Sequence, residues 1–100
     1  VTSSETVSQR QAVRKAESYI SIMAFSKEGL AEQLVFEGFT EEEATYGADN
    51  CGTDWMEKAT LKAKTYLDMM SYSRSALIEQ LEFEGFTHEQ AVFGVDATGL

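Results

Sequence analysis

The stretch QLVFEGFTEEEA at residues 33–44 returns as QLEFEGFTHEQA at residues 80–91. At the same offset of 47, and without a gap, residues 12–49 align with 59–96 and share 19 identities in 38 positions. A duplication of this extent in a chain of 100 residues leaves little freedom. Each copy must be one supersecondary unit that hides its apolar face against its own elements or its neighbour's.

The period inside a copy is helical. Ala12, Ala16, Tyr19, Ile20 and Met23 fall on one helical stripe, and Trp55, Ala59, Ala63, Tyr66, Leu67 and Met70 repeat it. The alanines let another helix approach closely, and the tyrosine and methionine stripes are expected to be core. Helix starts are marked by cap-x-x-Glu/Gln spacings at Ser8/Gln11, Thr40/Glu43, Asp54/Glu57 and Thr87/Gln90, with Ser26 and Ser73 as plain caps. Gly38 and Gly85 stand where a helix should stop in a left-handed residue. Phe39 and Phe86 follow at hydrophobic-staple spacing from Ala44 and Ala91.

These signals predict helices over residues 8–24, 27–37, 41–49, 54–71, 74–84 and 88–96. The expected fold is all-α: two tandem three-helix repeats, each containing a helix-turn-helix-like unit. Residues 1–7 read as a linker stub, residues 8–50 as the first repeat and residues 51–100 as the second. The connection at residues 50–53 is too short for a free linker, so the repeats are expected to touch, with Trp55 near the junction.

A helix-turn-helix invites the idea of DNA reading, and the charge argues against it. The chain carries 17 acidic and 8 basic residues, for a net charge of −9. Nucleic-acid binding draws its affinity from Lys and Arg displacing counterions from phosphate. Residues 28–49 hold seven acids and no Lys or Arg, and residues 75–96 hold five acids and none. The helix that would enter the major groove would repel it. The same balance disfavours an anionic membrane surface and favours a basic protein segment as partner. Glu37, Glu41, Glu42 and Glu43, with Glu82, Glu84 and Glu89, are the candidate partner-binding residues. Solvation of an ordinary acidic face is the plain alternative for each of them.

Nothing in the sequence assembles catalysis. The single histidine, His88, stands opposite Glu41 in the other copy and reads as a solvated first-turn residue. Cys51 is the only cysteine, so neither an internal disulfide nor a thiolate metal cluster can form, and it reads as a small, partly buried residue in a connection. The stretch DNCGTDWME lacks the ligands of a calcium loop, and Asp54 is better used as a cap. No enzyme activity, cofactor or metal is expected. No apolar run approaches the length of a membrane span, and no signal peptide is expected within these residues.

Taken together, A-x-x-x-A-x-x-Y, S-x-x-x-L-x-x-Q-L-x-x-E-G-F-T and A-x-(Y/F)-G-x-D, with D-W-x-x-x-A opening the second copy, resemble the repeat of the Ltp-type host-cell-surface lipoproteins. That family occurs in Gram-positive bacteria and their temperate phages, and the resemblance runs from about Gln11 to Asp96. It implies superinfection exclusion: a lipid-held protein on the outer face of the cytoplasmic membrane that stops DNA injection by an arriving phage, with the phage tape-measure protein as proposed target. The lipid would sit on an N-terminal cysteine upstream of these residues, and Cys51 is not that cysteine. A cell-envelope adaptor or wall-associated protein-binding module without antiviral role is the alternative, and an acidic DNA mimic or intracellular regulator retained in the cytoplasm a third.

Overall fold

Among the described residues six helices form in chain order: α1 (Val7–Ile20), α2 (Lys27–Phe36), α3 (Glu41–Asn50), α4 (Trp55–Met69), α5 (Arg74–Phe83) and α6 (His88–Ala97). The structure, a computed structural model, describes residues 5–100, and among them there is no strand. The all-α tandem expected from the repeat is therefore the observed architecture. The chain divides into two compact units. Of the described residues, one holds those up to Met23 with Gly29–Thr53, the other Ala24–Glu28 with Asp54–Leu100.

In the first unit α1 packs on α3. Ala12 and Ala16 of α1, Leu30 and Leu34 of α2, and Ala44 and Ala48 of α3 are buried. The small residues allow a very close approach: a Cβ placed on Gly47 would lie 2.8 Å from the Ala12 carbonyl oxygen and 2.9 Å from its carbon. In the second unit α4 packs on α6, and α5 lies against both. Its core joins Ala59, Ala63, Leu77, Leu81, Phe86, Ala91 and Val95, flanked by Tyr66, Leu67, Tyr72 and Ile78. Tyr66 and Tyr72 meet edge to face with centroids 5.6 Å apart. Each fully buried leucine contributes about 2 kcal/mol by area. Among the described residues, no buried side-chain nitrogen or oxygen lacks a partner.

The turn that closes α2 and α5 is the same Schellman motif twice. Phe39 N–H donates to Leu34 C=O at 3.2 Å and Gly38 N–H to Val35 C=O at 2.9 Å. Phe86 donates to Leu81 at 3.1 Å and Gly85 to Glu82 at 3.0 Å. Gly38 and Gly85 have φ of 109° and 105°, where a side chain would be strained. Thr40 with Glu43 and Thr87 with Gln90 then form full capping boxes for α3 and α6. Asp54 accepts from the Met56 and Glu57 amides, and Ser73 from that of Ala76.

Other helix ends differ from the sequence expectation. The cap of α1 is Thr6, boxed with Gln9, and Ser8 lies inside the helix. Ile20 ends α1 where residue 24 was expected, because the Ser21 hydroxyl donates to Ser18 C=O at 2.7 Å and competes with the helical pattern. α4 stops at Met69, with Met70 extended, since the chain must reverse before the Ser73 cap. Met23 and Met70 thereby fall beyond their helices and are 51% and 58% exposed. They do not belong to the core, although Tyr66 does pack against it. Residues 1–4 of the expected linker stub lie outside the described residues, and Thr6 and Val7 already serve α1.

Candidate protein-docking surface

The seven candidate glutamates separate into two sets. Glu37 forms an ion pair with Lys15 at 3.4 Å and accepts from Gln33 Nε2 at 3.4 Å, and the same Nε2 donates to the Tyr19 hydroxyl at 3.3 Å. Glu84 pairs with Lys62 at 3.6 Å and accepts from Gln80 Nε2 at 3.2 Å, which also donates to Tyr66 at 3.3 Å. One Lys, Tyr, Gln, Glu network thus binds α1 to the end of α2, and α4 to the end of α5. Lys62 also stands 5.7 Å from the centre of the Tyr66 ring. Four of the repeated identities exist to build this network.

Two more of the seven have internal partners. The Glu43 carboxylate accepts from the Thr40 amide at 3.1 Å, completing its capping box. Glu82 meets His88 Nδ1, a partner one turn of chain away. Glu41, Glu42 and Glu89 remain: all three are exposed, sit in the first turn of α3 or α6, and have no hydrogen bond or ion pair among the described residues. A carboxylate at a helix N-terminus faces the positive end of the helix dipole, which makes concentrated negative charge tolerable there.

Phe36 and Phe83 are not among the residues expected from the sequence to meet a partner. These residues end α2 and α5 and are 85% and 86% exposed. A signal was present: both are identical between copies, yet stand two residues past Leu34 and Leu81, roughly opposite the buried stripe of the helix.

Basic charge collects on α1 and α4. An open groove of about 570 Å³ along α1 is bordered by Arg14, Lys15, Glu17 and Phe39, so its charge is mixed. Cys51 is buried, and its thiol donates to Ala48 C=O at 3.4 Å. No group of three or more His, Cys, Asp or Glu is arranged to hold a metal ion among the described residues. No helix among them is long and apolar enough to cross a membrane.

These features define a class: an all-α tandem of helix-turn-helix-like repeats, fastened internally by duplicated polar networks, with unneutralised carboxylates on the outer turns. Residues 8–51 and 54–97 both match the sequence family described as host cell surface-exposed lipoprotein, Ltp. The chain belongs to this family. It is also similar to the solved structure of Ltp, a superinfection exclusion protein from the Streptococcus thermophilus temperate phage TP-J34. The TM-score is 0.84 and the identity 39%, over 91% of this chain and 95% of that one. Among curated proteins, none matches this chain.

Proposed function

We propose that this chain is a superinfection-exclusion protein, carried on the host cell surface by an N-terminal lipid, that blocks DNA injection by an incoming phage. The observation that carries this reading is the likeness to the phage Ltp protein, which extends over nearly the whole of both chains at a TM-score of 0.84. The partner is a basic segment of the phage tape-measure protein, drawn in by long-range attraction to a chain of net charge −9. Glu41, Glu42 and Glu89 are the groups that support this best, because their charge is not spent inside the fold. Glu37, Glu43, Glu82 and Glu84 add to the field while serving the structure.

The test is to display the lipid-anchored chain on a sensitive host and to measure phage adsorption and DNA uptake separately. Blocked uptake with normal adsorption is the expected result. Glu41→Lys, Glu42→Lys and Glu89→Lys together should relieve the block while the helical circular-dichroism signal is unchanged. Normal uptake with the parent chain correctly displayed would leave a cell-envelope adaptor in its place.

A further inference from the structure

Phe36 and Phe83 are the most exposed large apolar side chains among the described residues. They occupy the same position in the two repeats and contribute nothing to either core. Glu32 and Glu79 stand four residues earlier on α2 and α5, which on a helix makes each the neighbour of the ring on one face. Side chains lean toward the helix N-terminus, so each ring leans over the turn that carries its glutamate. Both carboxylates are exposed and have no hydrogen bond or ion pair among the described residues. An open aromatic face beside an unneutralised carboxylate is therefore written twice.

A ring face attracts cations, and a carboxylate accepts their N–H groups. The cation that satisfies both at once is planar and weakly hydrated, which describes guanidinium better than ammonium. We propose that Phe36 with Glu32, and Phe83 with Glu79, are arginine-receiving subsites for a basic polypeptide segment. The guanidinium stacks on the ring and donates to the neighbouring carboxylate. This rests on the reading of the partner as a basic protein segment, and it adds which side chain is read and by what. Charge complementarity selects this occupant: a second copy of the chain brings another −9, and phosphate or an anionic lipid surface meets the same carboxylates.

The probes are a peptide of alternating arginine and glycine, its lysine counterpart and its uncharged citrulline counterpart. Binding is measured by calorimetry and by the phenylalanine ring resonances at fixed ionic strength. Arginine should bind more tightly than lysine and citrulline should not bind, with the Phe36 and Phe83 rings shifting on titration. Phe36→Leu and Phe83→Leu keep apolar area and remove the ring face. Each should weaken the arginine peptide about two- to five-fold, and Phe→Trp at both positions should restore it. Unchanged affinity in the leucine double variant, equal binding of arginine and citrulline, or ring shifts produced by phosphatidylglycerol vesicles instead would overturn the proposal. If the leucine double variant still blocks phage DNA and binds arginine as the parent does, only this inference falls. If it loses arginine binding while no form of the chain blocks uptake, only the exclusion reading falls.

Discussion

The Tyr46 hydroxyl donates to a carboxylate oxygen of Glu5 at 2.7 Å, so α3 holds the residue just ahead of the α1 cap. That carboxylate also pairs with Arg10 at 3.1 Å. The hydrogen bond to Glu5, then burial, then the charge of Glu5 raise the Tyr46 pKa, against an opposing pull from Arg10. A folded-state pKa above the unfolded one means that the stabilisation is complete below the free phenol value of about 10 and is lost as pH climbs through the folded value. Stability of the parent and of Tyr46→Phe should therefore differ at neutral pH and converge in strong alkali. Tyrosine ring NMR should show Tyr46 titrating above the free value, and Glu5→Gln should bring it down. A titration unmoved by Glu5→Gln would show that the charge of Glu5 is not a cause, and one unmoved by Glu5→Ala that the bond is not.

Gly47 and Gly94 should reverse the usual rule for helices. Glycine to alanine inside a helix ordinarily gains about 0.5–1 kcal/mol. Here the new methyl would meet main chain, at 2.8 Å from Ala12 O in one unit and 2.7 Å from Ala59 O in the other. Backbone cannot swing aside, and overpacking of this kind costs about 1–3 kcal/mol. Urea denaturation of Gly47→Ala and Gly94→Ala should show a loss of that size, and a gain in either would contradict the packing described.

The two Schellman glycines should differ from each other. Both have positive φ, so alanine costs each about 1–2 kcal/mol of backbone strain. A Cβ on Gly38 meets nothing within 4 Å. On Gly85 it would lie 2.7 Å from the hydroxyl of Ser26 and 2.9 Å from the Cβ of Glu28. Ser26 is held in turn, since its hydroxyl donates to Glu84 C=O at 2.6 Å. Gly85→Ala should accordingly lower the urea midpoint more than Gly38→Ala does.

The start of α1 offers a paired test. Thr6→Ala removes the side chain that accepts from the Gln9 amide at 3.0 Å and should cost about 1 kcal/mol. Ser8→Ala changes an exposed position inside the helix and should be neutral or gain about 0.5 kcal/mol. Equal losses in thermal denaturation would restore Ser8 as the cap.

What the sequence disclosed was mostly local. The Thr40 and Thr87 boxes, the Asp54 cap and the glycine turns are each decided within a few residues by which side chain can reach which amide. The all-α repeat followed from these and from the alanine spacing, and the close approach of α3 to Ala12 is what small residues permit. Local rules also explain the misplaced start of α1. Thr6/Gln9 and Ser8/Gln11 have the same spacing, and the earlier register is the one used, with Tyr46 holding Glu5 just ahead of it.

The surface was less legible because its sorting is tertiary. Nothing near Glu37 in the sequence announces that Lys15 will reach it from the preceding helix, or that Lys62 will reach Glu84. In composition these glutamates look the same as Glu41 and Glu42. Phe36 and Phe83 were obscured for the opposite reason. A phenylalanine beside Leu34 or Leu81 reads as core until the helical phase is followed to its last residue, where the ring emerges into water.

Where helices meet main chain to main chain, at Gly47 over Ala12 and Gly94 over Ala59, there is no room for even one added carbon. Descendants of this chain can rewrite Glu41, Glu89 or Phe36 without disturbing that seam. The frame can thus be inherited unaltered while its outer face is retuned, one repeat at a time.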